Sequence, residues 1–221
     1  MAKCRSMLGD LFADLIVLQE CRRPPTNDEA VVWGGENPKL GTATASADSE
    51  LRLDPVEIPD LHPTVVPVIV SAPVEFMFVG VWTHKPCAMV AWEALSACVA
   101  AAAGLPVVAA GDFNIVPRVP WGAANWFLRR IGDEVGLVSA YHYHCREIYG
   151  EETRATYYQG FQEFNPFHID YCFIPESWAD LTVAVQVGSF FDYRQSDHRP
   201  LMVDLAVNIA ASLSGDTSTR S

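Results

Sequence analysis

Four apolar, strand-like runs each border a short polar motif that contains a carboxylate, and this arrangement is the strongest constraint on the fold. The motifs, in chain order, are Leu18-Gln19-Glu20, Gly111-Asp112-Phe113-Asn114, His168-Ile169-Asp170-Tyr171 and Ser196-Asp197-His198. Because strand ends bring distant segments together, four such motifs can converge on one edge of a folded sheet. Convergent carboxylates with an amide and a histidine are typical of metal-assisted hydrolysis.

Length and patterning favour a single α/β or α+β domain. The chain has 221 residues, 50% of them hydrophobic, which is enough for a sizeable core and demands no second domain. Helical patterns cover residues 87–103 and 121–134, and they are outnumbered by β-type runs at residues 15–18, 31–33, 41–46, 51–58, 64–70, 76–83, 106–110, 153–158, 167–174, 181–187 and 201–207. We expect one domain over residues 1–211 and a disordered tail over 212–221.

Cysteine usage and the N-terminal residues indicate a soluble cytoplasmic protein. The six cysteines are scattered without a Cys-x-x-Cys pair, which is typical of reduced core thiols. The first apolar stretch is cut by Asp10 and Asp14 and lacks a small-residue cleavage site, so it predicts neither a signal peptide nor a membrane span. His142, His144 and Cys145 are candidates for part of a zinc site, but ordinary packing is the favoured interpretation because no partner cluster has ligand spacing.

The formal net charge of −12 argues against a broad basic surface that would hold nucleic acid through its phosphates. A polyanionic substrate would therefore need a local basic patch. The candidates for that patch are Arg22, Arg23, Lys85, Arg194 and Arg199. The alternative is that these are ordinary solubilising surface charges.

The ordered set of four motifs resembles the endonuclease/exonuclease/phosphatase superfamily, from about Asp14 to Leu205. Single three-residue matches are weak, Gly-Asp-Phe-Asn is more specific, and the set in this order is strong. The resemblance implies a deoxyribonuclease-I-like fold, in which two packed β-sheets flanked by helices form a four-layer sandwich. It also implies hydrolysis of phosphoester bonds with a divalent metal.

The resemblance assigns roles to the first two motifs. The residue that matches Glu20 is a metal ligand, and Glu20 with Asp197 or a nearby acid is sufficient for Mg²⁺, with Mn²⁺ as the alternative. The residue that matches Asp112 orients or activates the attacking water, and the one that matches Asn114 donates to the scissile phosphate. An isolated Asp112 and Asn114 pair would instead be interpreted as a turn-forming Asx pair.

The resemblance also assigns roles to two histidines. His198 is expected to act as a catalytic acid or base, or to contact phosphate, while Asp170 orients it and raises its pKa. His84, which follows Thr83, resembles a second histidine that touches the phosphate or leaving group. The alternatives are a core histidine for His198 and a loop histidine for His84.

One departure from the family concerns the start of the chain. Members begin with a strand that carries an asparagine, in a pattern such as Trp-Asn-x-Asn, and this pattern is absent here. We expect that Met1 is an internal methionine of a longer gene product; the alternative is a naturally short and weakened protein.

The sequence leaves three functions open. The favoured one is a nuclease that cleaves phosphodiesters by in-line attack of an activated water, with nucleic acid as its substrate. The first alternative is a phosphatase or phospholipase-type esterase that acts on a small or lipid phosphoester, which the acidic composition keeps open. The second is a non-catalytic binding protein that retains the fold.

Overall fold

The computed structural model describes residues 13–25, 28–71, 74–84, 87–116 and 122–207. Its strands are β1 Leu15–Cys21, β2 Val31–Asn37, β3 Leu40–Ser46, β4 Arg52–Pro55, β5 Val65–Ser71, β6 Phe76–Trp82, β7 Val107–Asp112, β8 Leu137–Ser139, β9 Tyr157–Tyr158, β10 Pro166–Phe167, β11 Asp170–Pro175, β12 Thr182–Val187 and β13 Leu201–Leu205. Its helices are α1 Cys87–Ala101, α2 Ala123–Val135 and α3 Ala140–Cys145, and short 3-10 turns cover Gln159–Phe161 and Glu176–Leu181. The predicted tail and the residues around Met1 lie outside the described residues.

A six-stranded sheet in the order β4-β5-β6-β7-β11-β8 is the centre of the fold. Strands β6 and β7 are parallel, and α1 makes the crossover between them. The other neighbours in this sheet are antiparallel. Strands β5, β6 and β7 read as nearly continuous apolar runs because both faces of the sheet are covered.

A second β layer packs on one face of this sheet and consists of β1-β3-β2 and the β12-β13 pair. Its approach is closest at Gly80, where an added Cβ would lie 2.3 Å from Oγ1 of Thr44. Thr42 and Thr44 are fully buried there, and their hydroxyls donate to carbonyls of the facing sheet. The two layers are therefore joined by hydrogen bonds as well as by apolar contact.

Helices α1 and α2 cover the opposite face of the six-stranded sheet. Leu95 of α1 and Phe127 of α2 are fully buried in the same cluster as Phe113 and Phe173. Helix α2 ends at Gly136, whose φ of 72° allows its N–H to donate to the carbonyl of Gly132. The predicted sandwich of two β layers flanked by helices is confirmed.

Two local predictions were wrong in detail. The strand predicted over residues 167–174 is two strands, because the N–H groups of Ile169 and Asp170 both donate to the hydroxyl of Thr156 and the chain bends there. The strand predicted over 153–158 shortens to Tyr157–Tyr158. Strand β8 and helix α3 were not predicted, since segments of three and six residues are too short to show a period.

Two further observations concern the cysteines and the helices. Cys98, Cys145 and Cys172 are free thiols, and burial raises the pKa of Cys98 and of Cys172 to about 12. Across the described ranges, no helix has the length and apolarity that a membrane span requires.

Candidate active site

Two aspartates lie side by side where neighbouring strands of the central sheet meet. Asp112 ends β7, Asp170 begins β11, and their Cα atoms are registered opposite each other. Both are buried, with 3% of Asp112 and 8% of Asp170 exposed. Gly111 is required just before Asp112, because its φ is 141° and a Cβ would lie 2.0 Å from the carbonyl oxygen of Val81.

Asn114 holds both carboxylate oxygens of Asp112. Its backbone N–H donates to Oδ1 at 2.8 Å and its Nδ2 donates to Oδ2 at 2.8 Å. The same Nδ2 donates to the carbonyl of Thr83 at 3.0 Å, and Asn114 has a left-handed φ of 51°. The turn that was the alternative interpretation of this pair is thus present, and it orients the Asp112 carboxylate.

His198 is paired with Asp170, as the sequence predicts. Its Nδ1 donates to Oδ2 of Asp170 at 2.9 Å, and its ring centroid lies 4.7 Å from that of Tyr157. Burial disfavours the charged ring, but the Asp170 carboxylate outweighs burial and raises the pKa of His198 to about 9. The histidine therefore carries a positive charge at neutral pH.

The pKa of Asp112 is raised to about 7, chiefly by burial and then by the charge of Asp170. The charge of His198 and the N–H of Asn114 oppose this rise, while Glu20 adds to it. Burial, followed by the charges of Asp197, Asp112 and Glu20, also raises the pKa of Tyr157. The charges of all four predicted carboxylates therefore influence pKa values in one small region.

Glu20 reaches this region from a β-bulge. The pairing of β1 with β3 shifts register between Leu18 and Cys21, and Glu20 has a left-handed φ of 52° there. A bulge turns a side chain away from the alternation of the strand. Glu20 is exposed, and the neighbouring Gln19 amide lies against Gly111.

A divalent cation fits the donor chemistry of this site. Glu20 and Asp197 supply hard carboxylate oxygens, and the four carboxylates exceed the single charge of His198. Within the described residues, no group of three or more His, Cys, Asp or Glu side chains is arranged so that it could hold a metal ion. Such a cation would take its remaining ligands from water and substrate, as Mg²⁺ does in phosphate-processing sites.

His84 is at the border of the site. Its exposed ring packs 4.1 Å from the ring of Trp82 and 6.2 Å from that of His62. The preceding residue, Thr83, bonds to the backbone of Asp112 and Phe113. The structure thus places His84 next to the aspartate turn, with its ring against other aromatic groups.

The structure also shows the surroundings of His142 and of the predicted basic patch. His142 is buried and bonded to Ser139 and Glu152, so the packing interpretation of this histidine is confirmed. Of the predicted basic patch, Arg199 is 2% exposed and unavailable at the surface, whereas Lys85 lies outside the described residues. Arg22 is exposed, Arg23 stacks on Trp33 and Arg194 stacks on Phe191.

No pattern in the sequence indicates the role of Thr156, whose hydroxyl accepts the N–H of Asp170 at 3.0 Å and thereby fixes the start of β11. A surface cavity of about 420 Å³ lies beside this region, and none of the four predicted carboxylates lines it. Its lining consists of Thr153, Arg154, Ala155, Tyr158, Val187, Gly188, Ser189 and Phe190.

Neither a protein-family profile nor a curated protein sequence matches the chain. Solved structures do resemble it. A 3′–5′ exonuclease, NExo, from Neisseria meningitidis is 20% identical with a TM-score of 0.67, covering 92% of this chain and 93% of that one. The 3′ phosphatase NExo from Neisseria bound to a product DNA hairpin is 20% identical with a TM-score of 0.65, again covering 92% and 93%.

An AP endonuclease from Archaeoglobus fulgidus is 17% identical with a TM-score of 0.64, covering 91% of this chain and 92% of that one. At this level of identity, the similarities bear on the fold. The chain has the deoxyribonuclease-I-like fold that its ordered motifs predict.

Proposed function

We propose that the chain is a divalent-metal-dependent phosphoester hydrolase that cleaves nucleic acid by in-line attack of an activated water. The observation that carries this proposal is the convergence of Asp112, Asp170 and His198 at one sheet edge, with Glu20 and Asp197 acting on the same region. Charge neutralisation, a base and a cationic group are what phosphoryl transfer needs.

Asp112 is the proposed base for the attacking water. Its raised pKa of about 7 makes its carboxylate a stronger base than an ordinary aspartate near neutral pH. Asn114 holds it in place, and the Nδ2 of Asn114 already donates to Asp112 and Thr83. For Asn114 to contact the phosphate as well, substrate must replace one of these bonds.

His198 is the proposed charged contact to the phosphoryl group. Its pKa of about 9 keeps it protonated at neutral pH, and Asp170 fixes the ring through Nδ1. Nε2 is then the nitrogen that faces substrate. The exposed ring of His84 is the proposed second contact to the phosphate or leaving group.

Glu20 and Asp197 are the proposed ligands of the divalent cation, which is Mg²⁺ or Mn²⁺. When bound, such a cation neutralises charge on the phosphoryl oxygens and so stabilises the transition state. The two side chains have suitable donors, and repulsion among the carboxylates is relieved by a positive charge.

DNA is the proposed substrate. The structural neighbours are named as an exonuclease, an AP endonuclease and a 3′ phosphatase bound to a DNA hairpin. The last of these supports a second candidate, the removal of a terminal phosphate. A net charge of −12 gives no general attraction to nucleic acid, which favours recognition of a local feature, such as a strand end, over the bare duplex.

The test is hydrolysis of three substrates: supercoiled plasmid, a single-stranded oligonucleotide, and a hairpin with a 3′-phosphate. Each is incubated with Mg²⁺, with Mn²⁺ or with a chelator. We expect metal-dependent product from wild type and a loss of about 10²–10⁴-fold in Asp112→Asn, the range for loss of a general base. Asp204→Asn, an exposed aspartate of β13, is the matched control and keeps wild-type activity.

The pattern of products separates the candidates. Nicked plasmid indicates an endonuclease, shortened oligonucleotide an exonuclease, and phosphate released from the hairpin alone a phosphatase. Equal product from wild type and Asp112→Asn would reject the catalytic assignment. No product from any nucleic acid, followed by release of phosphate from small or lipid phosphoesters, would replace the substrate class.

A further inference from the structure

Arg199 is a buried cation directly after the histidine of the site. Its side chain lies against the rings of Tyr158 and Phe190, with 4.9 Å from the guanidinium carbon to each ring centroid. The hydrogen bonds found for its guanidinium within the described residues all go to backbone carbonyls, and its Nε is buried without a partner. A charge this deep is costly unless the surrounding structure is built to hold it.

The four carbonyls belong to one loop, residues 190–198. Nη1 donates to Tyr193 at 3.2 Å and to Ser196 and His198 at 2.7 Å each, and Nη2 donates to Phe190 at 2.9 Å. Within the described residues, the strand pairing of this loop is a single bridge between His198 and Tyr157. The loop is therefore wrapped around one planar guanidinium, whose fixed fork of donors sets where each carbonyl lies.

The same loop carries Asp197 and His198. Asp197 lies between two residues whose carbonyls Arg199 holds, and its own carbonyl accepts the N–H of Tyr158 at 2.8 Å. The N–H of Arg199 donates to Thr156, whose hydroxyl also holds Asp170. Arg199 thus connects the loop to Thr156, the residue whose hydroxyl holds the N–H of Asp170.

We propose that Arg199 is a positioning residue of the active site. Its guanidinium shapes the 190–198 loop so that His198 meets Asp170 and Asp197 faces the carboxylate region. Arg199 touches no reacting atom and acts through the backbone. This inference rests on the proposed function for its effect on catalysis, whereas its effect on the His198–Asp170 pair does not.

The test compares Arg199→Lys with Arg130→Lys. Lysine keeps the charge but lacks the planar fork, so it cannot hold four carbonyls in this arrangement. Arg130 is the matched control because its guanidinium also stacks on two rings, those of Trp92 and Trp126, but on the helical layer. Circular dichroism and thermal unfolding first establish that each variant is folded at the assay temperature.

We expect Arg199→Lys to lower kcat for DNA hydrolysis about tenfold or more while KM stays within about twofold, because small displacements of a catalytic group are costly in rate. Arg130→Lys is expected to keep both constants. Added guanidinium ion is expected to restore part of kcat in Arg199→Ala. A folded Arg199→Lys with wild-type kcat would overturn the proposal.

A second readout is independent of activity. The Nδ1 proton of His198, bonded to Asp170, is expected to give a protected downfield resonance in wild type and in Arg130→Lys, but not in Arg199→Lys. Loss of that resonance supports the positioning role even if no phosphoester is hydrolysed, in which case only the proposed function fails. A resonance of full intensity in Arg199→Lys would overturn the proposal.

Discussion

Two histidine–carboxylate pairs within the described residues have similar hydrogen bonds but different surroundings. His198 bonds to Asp170 at 2.9 Å, and His142 bonds to Glu152 at 3.0 Å. The distances barely differ. The pair at His142 is closed, because its other ring nitrogen is bonded to Ser139 and only 6% of the side chain is exposed, against 28% for His198.

The surrounding charges differ as well. Burial raises the pKa of Glu152, but the bond from His142 and the N–H of Gly150 outweigh it, and the net result is a lowered pKa. Asp112, beside the other pair, keeps a raised pKa despite His198 and Asn114. A carboxylate whose charge is compensated stabilises the fold, whereas a surplus of carboxylates at an open edge leaves room for a cation and a substrate.

The largest expected contrast between the pairs is in activity. His198→Ala is expected to lower kcat about 10²–10⁴-fold, since it removes the charged group proposed to contact phosphate. His142→Ala is expected to keep wild-type kcat per folded molecule. Hydrolysis of the best DNA substrate, with rates corrected for the folded fraction, measures both. Equal losses in the two variants would remove the functional distinction between the pairs.

The second contrast is in stability, where His142→Ala is expected to have the larger effect of the two variants. His142→Ala leaves Glu152 buried without its partner and is expected to lower the free energy of unfolding by about 3–5 kcal/mol, the usual cost of breaking a buried pair. His198→Ala is expected to cost less, because 28% of the His198 side chain is exposed and water can reach the Asp170 carboxylate once the ring is removed. Urea unfolding monitored by circular dichroism compares them. If the His142→Ala variant were more stable than wild type, the hydrogen bonds of His142 to Ser139 and Glu152 would not be needed for stability.

The third and smallest effect is on pH dependence. The rate is expected to rise as Asp112 loses its proton near pH 7 and to fall as His198 loses its proton near pH 9. Asp170 raises both pKa values, so residual activity in Asp170→Asn is expected to have both limbs at lower pH. Glu152→Gln, in the other pair, should leave the profile unchanged.

The pH dependence of stability tests the raised pKa of His198 without any substrate. His198 binds its proton more tightly in the folded chain, with a pKa of about 9 against an ordinary 6.5. Its contribution to folding is therefore complete below about pH 6.5 and is lost as the pH rises through about 9. A difference between wild type and His198→Gln that stayed constant over this range would contradict the raised pKa.

Much of the site could be predicted because several of its features depend only on residues that are neighbours in the sequence. The apolar run before Asp112 predicts that this residue follows a strand, and it ends β7; the Asp-x-Asn spacing specifies the turn that joins Asp112 to Asn114. Asp170 was predicted inside a strand but begins β11, and Glu20 was predicted at the end of a strand but lies at a bulge within β1. The pairing of His198 with Asp170 was predicted through the resemblance, and the structure brings the two together. The metal and the catalytic roles remain predictions for the experiments above.

Other features depended on long-range contacts. The hydroxyl of Thr156 accepts the N–H groups of Ile169 and Asp170 between β10 and β11, a run that looks continuous in sequence. Arg199 was a candidate for a basic patch, with a solubilising surface charge as the alternative, yet it is buried because a loop closes around it. Neither residue is distinguished by its neighbours in the chain, since hydrophobic period and turn chemistry report only local preferences.

The sequence by itself determined most of the longer strands, the helix between β6 and β7 and the turn that joins Asp112 to Asn114, because alternation, apolar runs and Asx turns are local properties of the chain. Only the tertiary structure decided which histidine–carboxylate pair faces an open edge and which is sealed in the core. That choice depends on register, burial and the sum of neighbouring charges, and those arise only when distant segments pack together.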